Sequence, residues 1–262
     1  MHSLRVLRAF LSIGVLNLVQ YRADFAVAVL NALISLVTQV LGLSVIFSNT
    51  ADLRGWTADD LLVLIGIHFF ISGLVGLVVR PSMEALMEGI RLGTFDYLLT
   101  KPADAQLLAS ARVFAPAALT DLVVGVGIVI FGVTRIGLVV DGVSVVLFLV
   151  TLASGFAIVY SFLLLLSTMA FWFVKLDNIL VIFQALFGNA GRWPVTIFPG
   201  WMRPVLTFVV PIAFAVTVPA QALVGQLSWT GALLSVVVAV LFLAGSRVFW
   251  LVALRHYTGA SA

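Results

Sequence analysis

Six long apolar runs, at about 25–48, 60–79, 113–133, 143–173, 179–198 and 230–253, constrain this chain before anything else does. Each is about as long as a helix that crosses a bilayer, which needs roughly 20 residues. In hydrocarbon every backbone N–H and C=O must be bonded within the protein, which leaves only α-helices and closed barrels. Barrel strands alternate inward and outward over about ten residues. These runs do not alternate, so they read as helices. With 63% of the 262 residues hydrophobic and 10% charged, burial in lipid is the driving force. The expected fold is an all-α polytopic membrane protein with six transmembrane helices, forming one domain over residues 1–262.

Charge placement sets the expected topology. Placing both termini in the cytoplasm puts Arg5, Arg8, Arg22, Arg80, Arg91, Lys101, Arg112, Lys175, Arg247 and Arg255 there, and only Arg54, Arg135, Arg192 and Arg203 outside. That is the bias the positive-inside rule asks for. It also accounts for the net charge of +3 without a nucleic-acid partner. The absence of cysteine removes disulfides and thiol chemistry, and His2, His68 and His256 are too dispersed to hold a metal. Residues 3–22 mix apolar positions at helical spacing with Arg5, Arg8 and Arg22, which suits a helix lying in the membrane interface. The sequence KLDN at 175–178 reads as a tight turn. Residues 199–225 are apolar but interrupted, because five of the eight prolines fall within 194–219. Proline removes a donor and clashes inside a helix, so two short re-entrant helices are expected, with a kinked seventh span as the alternative.

The exception to all this hydrophobicity is residues 80–112, which hold eight of the 25 Asp, Glu, Lys and Arg residues. Ser82 stands where an N-cap would. Met83, Leu86, Met87 and Ile90 then repeat at i, i+3, i+4, i+7, Glu84 and Glu88 take the other face, and Gly93 suits the position just past a helix end. A short amphipathic helix over 83–92 is expected. It is followed by the apolar Thr94–Leu99, by a break at Lys101-Pro102, and by Asp104 as cap of the third span. Phe95, Tyr97 and Leu98 would be the anchors if a partner docks here, since aromatic groups dominate interfaces. The alternative is a helix resting on lipid headgroups.

Other polar groups lie within the spans. His68 and Asp121 fall in the second and third, where ionisable groups are costly and mark functional sites. Counted from the span ends they lie within about four residues of depth, ~6 Å at 1.5 Å per residue, close enough to pair. A structural hydrogen bond between helices is the simpler role, and a proton relay the alternative. Asn189, Arg192 and Trp193 near the end of the fifth span would line an exit or anchor the interface. Gly73 and Gly76, with Gly125 and Gly127, offer close helix approach.

The segment GIRLGTFDYLLTKPADAQLL resembles the G-x-(L/F)-D-x-x-L-x-(R/K)-P stretch of permease subunits of ABC-2-type transporters. The run WPVTIFPGWMRPVLTFVVPIAFAVTVPAQALVG resembles the Pro-rich segment before their last span. Chain length, span number and the N-terminal helix match as well, closest to small bacterial members that pair two permease chains with one ATPase. The resemblance implies an ATP-driven exporter of the bacterial plasma membrane, a second like or unlike permease chain, and a cytoplasmic ABC ATPase. Residues 82–102 would couple to that ATPase, through Glu84, Met87, Arg91, Gly93, Phe95, Asp96, Tyr97, Leu98, Leu99, Lys101 and Pro102, and 201–225 would be re-entrant. The chain has no G-x-x-x-x-G-K-[ST] loop, so ATP and Mg are expected on the partner, with no cofactor or catalytic group here. A proton-coupled secondary transporter and a membrane anchoring or assembly protein are the competing functions.

Overall fold

The computed structural model describes residues 22–137, 141–173 and 178–257. The interfacial helix expected over 3–22, the 175–178 turn and the last residues of the C-terminus fall outside this set, apart from Arg22, Asn178 and Arg255–Tyr257. Among the described residues the protein is helical throughout and has no strand. The helices, in chain order, are α1 (Arg22–Phe47), α2 (Ala58–Arg91), α3 (Asp96–Leu99), α4 (Ala105–Ser110), α5 (Leu119–Ile136), α6 (Gly142–Thr168), α7 (Ile179–Ala190), α8 (Met202–Val209), α9 (Ala213–Leu223) and α10 (Trp229–His256). Polar caps start the long ones: Thr57 and Asp60 form a reciprocal capping box on α2, Asp141 accepts the Ser144 N–H on α6, and Ser228 accepts the Gly231 N–H on α10.

Five helical stretches are long and apolar enough to cross a membrane: Phe25–Phe47, Ala58–Arg91, Pro116–Ile136, Gly142–Phe171 and Trp229–His256. A sixth is reached only if α8 and α9, bent by 78°, are taken as one span. The expected fifth span over 179–198 is shorter than the sequence suggests. α7 has 12 residues, ~18 Å at 1.5 Å per residue, well short of a hydrocarbon core of about 30 Å. It stops at Gly191, and Pro194 then leads into a 3₁₀ turn over Val195–Ile197. The bend between α8 and α9 falls at Pro211, where the missing N–H and the ring prevent a straight helix.

The charged connection departs from expectation at its start. No separate helix begins at Ser82; α2 runs unbroken for 34 residues from Ala58 to Arg91. It passes Pro81 by widening into a π-turn at Val75–Val79, where the Arg80 N–H reaches back to the Val75 carbonyl. Pro81 cannot donate to the Leu77 carbonyl, and the Ala115 N–H takes that acceptor at 2.9 Å. Ser82 is therefore buried rather than capping. Its Oγ accepts from the Val113 N–H (3.1 Å) and donates to the Val113 carbonyl (3.2 Å). The expected end is found: Gly93 adopts φ +69°, and Asp104 accepts the Leu107 N–H at the start of α4. α4 does not continue into the third span, because residues 111–115 interrupt it and helix resumes at Pro116.

Antiparallel α2 and α5 form the tightest pair. A Cβ built on Gly66 would lie 2.7 Å from the Val129 nitrogen, on Gly73 2.6 Å from that of Leu122, and on Gly125 2.5 Å from that of Phe70. Gly132 meets Val63 in the same way, so glycines seven residues apart on each helix let the two backbones touch. Gly76 approaches Ala118, while Gly127 faces open space and takes no part. α6 packs on α10 and on the α8–α9 bend through Gly155. The outward faces of α1, α5, α6 and α10 expose Val, Leu, Ile and Phe, as a lipid-facing surface should.

Candidate functional site

Two places carry the polar chemistry: the connection over 92–113 and a cavity between α1, α2, α5 and α7. In the connection, Phe95 is 1% exposed and Leu98 6%. Phe95 sits edge-on to Phe171, Trp250 and Tyr257 at 5.2–6.1 Å between ring centres. Of the three residues expected as docking anchors, Phe95 and Leu98 are thus turned inward, with Phe95 pinning the connection against Phe171, Trp250 and Tyr257, and only Tyr97 faces outward. Met83, Leu86 and Met87 are likewise buried, turning the apolar face of α2 inward. The outward set is Leu92 (62% exposed), Tyr97 (74%) and Leu99, joined by the exposed Arg91, Lys101 and Pro102. Asp96 is half-buried, and Glu84 is exposed and pairs with Arg80 at 2.8 Å.

A polar latch fixes the far side of this connection to the bundle. Arg247 on α10 donates to both carboxylate oxygens of Asp104 (3.2 and 2.7 Å) and to the Gln106 side chain (2.8 Å). Gln106 donates to the Tyr160 hydroxyl, which lies 2.7 Å from Ser110 Oγ. The Arg247 hydrogen bond holds the Asp104 carboxyl below its ordinary value, with the Leu107 N–H adding to it against a smaller desolvation effect. At the opposite end, Arg54 donates to the Thr196 carbonyl, Trp56 to the Thr196 hydroxyl and Gln226 to the Gly55 carbonyl. That network closes the loop after α1 over the segment after α7.

The cavity has a volume of about 500 Å³, within the usual range for ligand pockets. Three helices line it with residues four apart. α1 contributes Asn31, Ser35 and Gln39; α2 contributes His68, Ser72, Gly76 and Arg80; α7 contributes Leu180, Gln184 and Gly188, and Arg192 follows just past its end. Asp121 joins from α5, and Phe183 and Phe187 supply apolar wall. His68 is 5% exposed and stacks on Phe187 at 5.3 Å, with its Nδ1 buried and unpartnered. Arg192 Nε and Gln39 Oε1 are also buried without partners.

His68 and Asp121 share this cavity, but no hydrogen bond joins them. Gly125 faces Phe70 and Gly73 faces Leu122; this register sets Asp121 beside Leu74, six residues or ~9 Å from the level of His68. Of the proposed exit residues, Arg192 lines the cavity. The Asn189 side chain donates back to the Ala185 carbonyl, and Trp193 packs against the core instead. Gln39, Ser35, Asn31, Ser72 and Gln184 went unnoticed in the sequence, although polar residues four apart within apolar runs were there to be read. Among the described residues no group of His, Asp and Glu could hold a metal ion.

Comparison with known proteins agrees with this architecture. The family model described as ABC-2 family transporter protein matches residues 33–261, and the chain belongs to that family. A search of curated proteins finds no match. The protein is a multi-pass membrane protein of the ABC-2 transporter family, and the family as a whole works with ABC ATPase subunits.

Proposed function

We propose that this chain is the permease subunit of an ATP-driven exporter in the bacterial plasma membrane, with the 80–113 end in the cytoplasm and docked on a separate ABC ATPase that binds ATP and Mg. The observation that carries this reading is mechanical. α2 is a rod of 34 residues, ~50 Å long. One end leads directly into the surface formed by Leu92, Tyr97, Leu99 and Lys101, and its middle holds His68, Ser72 and Arg80 of the cavity wall. A push at Tyr97 on α3 passes through the turn at Gly93 into α2, and so reaches that wall. Phe95 and the Asp104–Arg247 latch carry the same push to α10. A rigid-body shift of packed helices is the usual form of such transmission.

A second permease chain, like or unlike this one, completes the path in this reading. The cleft between α1 and α7 faces it, and α8–α9 closes the outer end as a re-entrant pair. The proton-coupled alternative draws less support, since His68 and Asp121 lie ~9 Å apart in depth and share no hydrogen bond. An anchoring or assembly protein has no evident use for a polar cavity inside the bundle. The reading is tested by purifying the tagged chain from its host in mild detergent. Recovery of a P-loop ATPase at a fixed ratio is expected, and recovery of the chain alone would overturn it.

A further inference from the structure

We infer that the intramembrane cavity is a binding site for an amphiphile with a single apolar chain and an anionic head, with the head held at Arg192, His68 and Gln39. The ligand's role as cargo rests on the permease reading above. Three buried polar atoms, Arg192 Nε, His68 Nδ1 and Gln39 Oε1, lack partners, and all three residues line the same cavity. Gly191 lies against the His68 ring, its Cβ position 2.8 Å from Nδ1, which brings Arg192 beside the histidine. Buried polar atoms in native proteins are nearly always bonded, and Arg192, half-buried as a residue, has its Nε fully enclosed and unbonded. Among the described cationic groups of the wall, Arg80 is already neutralised by Glu84 at 2.8 Å. Arg192 has no such neighbour.

The rest of the cavity fixes which way the ligand lies. Asp121 sits ~9 Å along the helix axis from the His68 level and repels an anion placed at its own depth. The head therefore goes to the Arg192 end. Leu163, Leu180, Phe183 and Phe187 give an apolar track for the chain beyond it. A charge-assisted pair with a guanidinium favours phosphate or carboxylate. Gln39 Oε1 can only accept, so a head carrying a hydroxyl, such as a phosphate monoester, satisfies all three atoms.

The test is equilibrium dialysis of radiolabelled dodecyl phosphate against the full chain in phosphatidylcholine nanodiscs, with dodecanol and dodecyltrimethylammonium as matched competitors. Dodecyl phosphate is expected to bind one per chain and about tenfold or more tighter than either competitor, the difference one charge-assisted hydrogen bond makes. Arg192→Gln should remove that preference, Arg192→Lys should keep part of it, and Asp121→Asn should not weaken it. Equal binding of the three head groups overturns the inference. So does a preference for the cationic head that Asp121→Asn abolishes. If Arg192→Gln does not fold, the wild-type preference and the Gln39→Leu variant decide. Repeating the assay in phosphatidylglycerol nanodiscs separates the sources: displacement marks a resident lipid, persistence a single-chain cargo. Binding is read on the chain without an ATPase, so its failure leaves the docking reading standing, and the converse holds.

Discussion

Replacing Gly125 with alanine tests how closely α2 and α5 are packed. The added Cβ would lie 2.5 Å from the Phe70 nitrogen, 2.8 Å from the Gly66 oxygen and 2.9 Å from Phe70 Cα. All three are backbone atoms of a helix, so no side chain can swing aside. Ordinary contact begins near 3.4 Å, so α2 and α5 must part locally by about 0.9 Å. A gap of that size forfeits roughly a quarter to a half of each dispersion contact along the seam, and overpacking of this kind typically costs about 1–3 kcal/mol. Gly127 is two residues away on the same helix and faces open space. There alanine gains helix propensity, about 0.5–1 kcal/mol. The assay is the fraction of protein that stays monodisperse on size exclusion after stepwise heating in detergent. Gly125→Ala should lose half its signal several degrees below wild type, with Gly127→Ala at or above wild type. Equal midpoints for the two variants would refute the glycine seam and, with it, the register that separates Asp121 from His68.

Phe95→Ala removes the centre of the Phe171–Trp250–Tyr257 cluster and should cost about 3–5 kcal/mol, seen as lost yield and a lower midpoint in the same heating assay. Leu98→Asp, with a nearly buried carboxylate, should behave alike, whereas Tyr97→Asp at 74% exposure should leave the midpoint unchanged. Asp104→Asn should destabilise at neutral pH by about 1 kcal/mol or less, because both partners of the ion pair are well exposed. The Asp104 carboxyl is depressed below 3.8. Its contribution is therefore complete above that value and fades as pH falls through the lower folded value. Melting of wild type and variant should differ at pH 6, still differ near pH 4, and converge only once pH has fallen below the depressed folded value.

Much of the architecture could be read from the sequence because lipid burial leaves few options. The spans at 25–48, 113–133, 143–173 and 230–253 agree with helices in the structure to within a few residues, since continuous hydrophobicity suffices there. Periodicity also found the apolar face of Met83, Leu86 and Met87, and turn chemistry found Gly93 and the Asp104 cap. What failed were inferences about direction and continuity. Pro81 suggested a helix start, because nothing local reveals that Ala115 will satisfy the Leu77 carbonyl. Phe95 and Leu98 looked like surface anchors, because composition does not say whether an aromatic residue faces a partner or its own bundle. Hydropathy carries the fifth apolar run through to 198, whereas in the structure Gly191 and Pro194 end α7 earlier. The polar stripes of the cavity were present at spacing four, but hydropathy averaging hides single polar residues within apolar runs. The seven-residue glycine pattern, Gly66 with Gly73 and Gly125 with Gly132, is longer than the four-residue spacing that marks close helix approach in a sequence.

The most direct test of the central claim is a pull-down of the tagged chain from its host, comparing wild type with Tyr97→Asp. The account predicts a stoichiometric P-loop ATPase with the wild type, and its loss from the variant while the variant's heating midpoint stays put. An ATPase retained at full ratio on Tyr97→Asp would contradict the docking surface, and a wild-type chain that comes down without any ATPase would contradict the permease itself.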